Sequence, residues 1–243
     1  MEPFHCRIEQ HAVLYGLLAR AATAHGPAGR EALISVTVEY GLERGRRMAR
    51  YAAQEGIVPR GENYSLFKEW RSLPGQMCPG ESVGEPSFTT TVTRCEWVES
   101  WKKYGLLEFG RTYCQYIDRK LYEGFQESCP TRRTLTVRST LSAGDPVCRF
   151  DWGYARTPAL AAWSAENQRE LGDRYVRDFD FHTGDLLRVA WRVFQEKLGE
   201  EGRTICLTAW EEFGRMFGEE CRKAVRAAAE EQGRRPDRNP PLG

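Results

Sequence analysis

Phe88-Thr89-Thr90-Thr91-Val92-Thr93-Arg94-Cys95 opens the stretch on which the reading of this chain turns. Phe88, Thr90 and Val92 alternate with Thr89, Thr91 and Thr93, a period of two that predicts a β-strand. Cys95 falls on the parity of the polar set. A short helix is expected from Trp97 to Tyr104, ended by Gly105, and a longer one from Leu107 to Phe125, stopped by Gly124 and the Cys129-Pro130 turn. Thr134 to Thr140 alternates again. The turn Gly144-Asp145-Pro146 then leads to a run in which Cys148, Phe150 and Trp152 share a face, so an antiparallel hairpin is the simplest reading. The stretch predicts an α+β fold: helical hairpins packed on a small antiparallel β-sheet, with a C-terminal helical extension.

Upstream, Val13, Leu14, Leu17, Leu18 and Ala21 recur at helical spacing up to the stop Gly26-Pro27. A second helix is expected from about Arg30 to Gln54. Gly41 and Gly45 lie four apart within it, where each costs about 1 kcal/mol relative to Ala, so they are read as marks of close backbone packing. Residues 56–86 are rich in Gly and Pro and read as a long connection, with one short helix around Tyr64, Phe67 and Trp70. Downstream of Trp152 the pattern turns helical again and echoes the first hairpin. A shift of 173 positions brings Leu14, Gly26, Gly29, Arg30, Glu39, Gly41 and Gly45 onto Leu187, Gly199, Gly202, Arg203, Glu212, Gly214 and Gly218. Phe109 to Asp118 is echoed more faintly by Leu171 to Asp180. The expected division is an α+β domain over residues 1–155, a helical extension over 156–233 that partly repeats the N-terminal hairpin, and a disordered tail over 234–243.

A formal net charge of +1 over 243 residues gives no general attraction to nucleic acid or membrane, and no apolar run approaches the roughly 20 residues of a membrane span. The first residues lack the basic and apolar regions of a secretory signal. Eight cysteines without a Cys-x-x-Cys pair then suggest free thiols in a cytoplasmic setting. No glycine-rich nucleotide loop, Gly-x-Ser-x-Gly elbow or His-Glu-x-x-His run occurs, so neither cofactor nor metal is expected. The implied partner is a small molecule, with self-association through the helical hairpins as a further option.

Cys114 and Asp118 stand four apart in a helical segment and so share a face. A thiol beside a carboxylate serves either as nucleophile and base or as a pair of metal ligands, or else it is a buried Cys next to a surface Asp. A carboxylate alone raises a thiol pKa, so activation would need a cation, and Arg111 is the local one. None of the four histidines (His5, His11, His25 and His182) lies between residues 26 and 181, which leaves proton transfer to carboxylates, Asp118 first. Asp178, Asp180, His182 and Asp185 make a second acidic cluster, read either as a metal site or as the polar start of a helix.

The strand ending in Cys95, the Gly105-punctuated helix pair with Tyr113-Cys114 and Asp118, and Gly144-Asp145-Pro146-Val147-Cys148-Arg149-Phe150 together resemble the L-2-amino-thiazoline-4-carboxylic acid hydrolase family over roughly residues 10–152. The resemblance implies hydrolytic opening of a cyclic isothiourea such as L-2-aminothiazoline-4-carboxylate, a carbon–nitrogen hydrolase reaction leading toward N-carbamoyl-cysteine. Carried over by position, Cys95, Cys114, Asp118 and Cys148 would be the site residues; the expected catalytic pair is Cys114, as nucleophile or polar anchor, and Asp118, as general base. Cys95 and Cys148 would line the pocket, and Arg111 or Arg138 would hold the substrate carboxylate. The same helix pair and sheet are also similar to 4-vinyl-reductase-type domains, which would make the chain a non-catalytic small-molecule binder.

Overall fold

The structure, a computed structural model, describes residues 4–81 and 87–234. The expected disordered tail falls outside them except for Arg234, the last residue of the final helix. In chain order the elements are α1 (Ile8–Ala24), α2 (Gly26–Gln54), a 3₁₀ turn (Gly61–Phe67), β1 (Met77–Glu81), β2 (Thr89–Cys95), α3 (Glu96–Lys103) and α4 (Leu107–Phe125). There follow β3 (Thr136–Ser139), β4 (Cys148–Asp151), α5 (Pro158–Leu171), α6 (Phe179–Leu198) and α7 (Glu200–Arg234). The four strands form one antiparallel sheet in the order β1-β2-β4-β3. The chain is therefore α+β, as its patterning indicates. No described helix is long and apolar enough to cross a membrane.

Local chemistry explains most boundaries. Gln10 in the first turn of α1 reaches back to the Arg7 N–H at 2.8 Å, and Asp178 caps α6 by accepting from the Phe181 N–H at 2.8 Å. Thr157 does the same for α5, which has Pro158 at its first position. Both hairpin turns matched by the 173-residue shift are built alike. Gly26 and Gly199 take positive φ of 72° and 58°, and Gly29 and Gly202 each pass so close to a carbonyl of the preceding helix that a Cβ would lie 2.0 Å from it. The correspondence ends at its last pair: Gly45 is helical, whereas Gly218 has φ 83° and kinks α7. The fainter echo has no structural counterpart. Phe109 to Asp118 is continuous helix, while Leu171 to Asp180 is a helix end, a turn and an N-cap.

β1 lies in the stretch expected to be an irregular connection. Its sequence, Met77-Cys78-Pro79-Gly80-Glu81, reads as a turn, but an edge strand tolerates proline because one row of N–H groups needs no partner. β1 is such an edge, with a bulge between Met77 and Pro79.

Contacts divide the chain into two compact units, with boundaries falling inside α2 and α4. The first comprises residues 4–40, 96–116 and 177–234 among those described. Its centre is α1, buried on nearly every side, as expected of a helix apolar around its whole circumference. α3, α6 and α7 pack on it, and its polar groups are paired: Trp101 donates to the Ala12 carbonyl at 2.7 Å, and Tyr15 and Thr37 share a hydroxyl hydrogen bond of 2.7 Å. The cluster Asp178, Asp180, His182 and Asp185 is scaffold here. Asp178 is the cap already described, Asp180 accepts from the Cys6 N–H at 2.7 Å and pairs with His5, and buried Asp185 holds Arg188 at 2.8 Å. No metal-binding group of three His, Cys, Asp or Glu occurs among the described residues.

The second unit comprises residues 41–81, 87–95 and 117–176. Its core gathers Met48, Tyr64, Phe67, Leu121, Phe125 and Tyr175, with Phe150 and Trp152 packed against it from the sheet. α2 crosses α4 at near-backbone contact. A Cβ on Gly45 would lie 2.2 Å from the Leu121 carbonyl oxygen, and one on Gly124 would lie 2.5 Å from that of Leu42. Below this crossing, Glu69 is fully buried between Arg47 (2.5 and 3.0 Å) and Arg44 (3.2 Å).

Two stability measurements test this account. Gly45→Ala should cost about 1–3 kcal/mol through overpacking, seen as a drop of several degrees in Tm. Gly233→Ala, with open space around its Cβ, should be neutral or slightly stabilising. Glu69→Gln should cost about 3–5 kcal/mol, because two buried guanidiniums lose their counter-charge. A Tm unchanged in Gly45→Ala or Glu69→Gln would remove that contact from the account.

Candidate functional site

Asp118 is the carboxylate with the most distinctive surroundings in the second unit. It sits in the middle of α4, half-buried, and has no hydrogen-bond or ion-pair partner among the described residues. Burial pushes its pKa from 3.8 up to about 6, opposed by the cations of Lys68 and Arg44. A carboxylate that stays accessible to solvent while protein atoms desolvate it lies in a recess rather than on a convex surface.

Lys68, just past the 3₁₀ turn, behaves in the same way. Its side chain reaches solvent, yet desolvation lowers its pKa against the pull of Glu81 and Asp118. Its ammonium also lacks a hydrogen-bond partner among the described residues. Tyr64 has its hydroxyl pKa raised, by burial first and by Asp118 next. Its ring is held edge-on by Tyr122 and Phe125, with centroids 5.3 and 5.6 Å away. Asp118, Lys68, Tyr64 and Arg44 thus form one electrostatically connected group. Such a group, with a carboxylate poised near neutrality and a neighbouring amine, can take up and return a proton.

Cys148 belongs to the same surroundings. It is buried at the start of β4, opposite Val92 on β2, and its sulfur accepts a hydrogen bond from the Leu141 N–H at 3.2 Å. Burial raises its pKa, and the charge of Asp118 adds to that effect. It is therefore a neutral thiol at neutral pH, suited to lining a pocket. Asp145 accepts from the Thr140 N–H at 2.8 Å and braces the same turn.

The other residues singled out by sequence are placed differently. α4 is continuous, so Cys114 does precede Asp118 by one turn. Cys114 itself is half-buried and falls in the first unit, within electrostatic reach of Tyr15. Cys95 ends β2, paired with Met77 on β1 across the bulge that separates it from Val92. Arg111 is exposed on α4 in the first unit. Arg138 is exposed on β3 and engaged by Asp151 at 3.2 Å. Neither arginine is among the cations that act on Asp118. Lys68 and Arg44, which sequence reading passed over, are, and Asp118 in turn acts on Tyr64. Lys68 lies within a Gly/Pro-rich connection and Arg44 within an ordinary helix, so no local spacing marks them. Only their position against α4 does.

Comparison with known proteins bears on this arrangement. The profile of the L-2-amino-thiazoline-4-carboxylic acid hydrolase family matches residues 6–152, from just before α1 to just after β4. The match includes α2, the 3₁₀ turn, α4 and the whole sheet, and hence every residue of the Asp118 group. No curated protein and no solved structure matches the chain. The profile covers more than half of the 243 residues, and the chain belongs to the L-2-amino-thiazoline-4-carboxylic acid hydrolase family.

Proposed function

We propose that this protein is a hydrolase that opens a small cyclic amidine or isothiourea, with L-2-aminothiazoline-4-carboxylate as the reference substrate and Asp118 as the general base. The observation that carries the reading is the Asp118 carboxyl: solvent-accessible, unpaired among the described residues, and held at a pKa of about 6. A general base works best with a pKa close to the working pH, and a purely structural carboxylate in a folded core is normally tied down by donors, as Glu69 is. Family membership supplies the reaction class.

The chemistry follows from the atoms of the substrate. Asp118 accepts a proton from water as the oxygen bonds to the ring carbon between sulfur and the two nitrogens. The C=N electron pair moves onto the ring nitrogen, which takes a proton from solvent. The resulting tetrahedral carbon then re-forms a C=O bond, its hydroxyl proton leaving to solvent, as the carbon–sulfur pair departs onto sulfur. The proton held by Asp118 passes to the thiolate. N-carbamoyl-cysteine keeps both nitrogens on the former ring carbon, so forming this product adds water across the C=N bond and breaks C–S. Breaking the exocyclic C–N bond instead would release ammonia and leave the ring closed. In this reading Cys148 stays a neutral wall of the pocket, and Tyr64 supplies a hydroxyl beside the base.

Asp118→Asn should lower kcat/KM for a cyclic isothiourea by about 10²–10⁴-fold. In the wild type kcat/KM should fall tenfold per pH unit below about 6 as Asp118 takes up its proton. A wild-type profile flat from pH 5 to 8, or an Asn variant as active as the wild type, would sink the assignment. Cys114→Ala separates two mechanisms: direct attack by water leaves most activity in place, and covalent catalysis by the thiol abolishes it.

The same carboxyl should be a stability cost. The native state binds its proton more tightly than the unfolded chain, so stability falls as pH rises from 3.8 through about 6 and then levels off. Asp118→Asn should therefore be more stable than wild type at pH 8, by at most about 3 kcal/mol, an advantage that disappears below about pH 4. Denaturant unfolding at the two pH values measures the difference. Equal stability at both would show that the carboxyl is not desolvated.

A further inference from the structure

Lys68 also lines a second feature of the same unit. Between the segment following the 3₁₀ turn and the end of α5 lies a cavity of about 410 Å³, bordered by Ser65, Lys68, Trp70, Arg71, Ser72 and Gln168. It is the right size for a small molecule. Lys68 and Arg71 supply two cations to it, Ser65, Ser72, Gln168 and Tyr175 supply neutral polar groups, and no carboxylate contributes to its lining. Arg71 is already committed, donating to the Gly172 carbonyl at 2.6 Å and pairing with Asp173. The Lys68 ammonium and the hydroxyls of Ser65 and Ser72 have no hydrogen-bond partner among the described residues. The exposed ammonium and two hydroxyls border one cavity and are the donor types that hold a carboxylate by charge-assisted hydrogen bonds.

We propose that this cavity is a carboxylate-binding subsite, in which the anionic end of a small substrate rests on the Lys68 ammonium and the Ser65 and Ser72 hydroxyls while its ring extends toward Asp118. The assignment rests on the proposed hydrolase reading for the direction of the ring, but not for the anion. It offers a different carboxylate anchor from Arg111 and Arg138, the second of which is engaged by Asp151. Lys68 is shared, since it lines the cavity and also lies within electrostatic reach of Asp118. One ammonium would then hold the substrate's carboxylate and also sense the charge of the base.

The test uses two near-isosteric probes, the anionic thiazolidine-4-carboxylate and the uncharged-headed thiazolidine-4-carboxamide, titrated calorimetrically into the full chain. Wild type should bind the carboxylate at least tenfold more tightly than the amide. Lys68→Met should lose this preference, Lys68→Arg should keep most of it, and Asp118→Asn should retain it. Ser72→Trp, which fills the cavity from an exposed position, should abolish binding of the carboxylate. Because Lys68 is solvent-accessible and unpaired, its variants should unfold at the wild-type temperature, which a thermal melt verifies. Equal affinity for the two probes in wild type, no binding of either, a preference that survives in Lys68→Met, or full affinity in Ser72→Trp would each overturn the subsite. A Lys68-dependent preference without turnover of any cyclic amidine would leave the subsite standing and remove the hydrolase. Turnover that depends on Asp118 with no charge preference would do the reverse.

Discussion

The second unit depends on the close crossing of α2 and α4. Gly41 and Gly45 on α2 and Gly124 on α4 let the two backbones approach to distances that any side chain would block. Because α2 is held there, Arg44 and Arg47, three apart on one face, both reach Glu69. Arg44 and the following Lys68 are then brought within electrostatic reach of Asp118 on α4. Three glycines that cost helix propensity thus fix the distances on which the candidate site depends.

The unit treats its two central carboxylates in opposite ways. Glu69 is completely buried but gripped by two guanidiniums, so its charge is compensated and its role is mechanical. Asp118 is less buried but has cations only at a distance, so desolvation outweighs their attraction and its pKa rises. A carboxylate poised near neutrality at the expense of stability is the usual signature of a group kept for chemistry. Cys148 is a similar contrast among the thiols: its burial and the charge of Asp118 outweigh the hydrogen bond from Leu141, which favours the thiolate, and keep it a wall rather than a nucleophile.

Much of the architecture was legible in the residues themselves. The two hairpin turns at Gly26 and Gly199, the limits of α4 and the antiparallel pairing of β3 with β4 follow from helix stops and alternation. Those signals are local, and so survive in a single sequence. β1 was hidden because Cys78-Pro79-Gly80 has turn chemistry, and only its neighbour β2 makes it a strand. The likeness of Leu171 to Asp180 with Phe109 to Asp118 misled for the same reason. Two ten-residue stretches that share a Gly, a Tyr and an Asp in register adopt helix in one setting and a capped turn in the other.

The sequence by itself determined the α+β class, most helix boundaries and the packing glycines, and it singled out Asp118 as a candidate base, because periodicity, stop residues and the absence of histidine are properties of order along the chain. What surrounds Asp118 was decided only by tertiary structure. Lys68, Tyr64, Arg44 and Cys148 lie 50, 54, 74 and 30 positions from it along the chain, and come together only because α2, the 3₁₀ turn and β4 are packed around α4. Desolvation, which moves the carboxyl from 3.8 to about 6, depends on the density of atoms in space, and no spacing along a sequence encodes that.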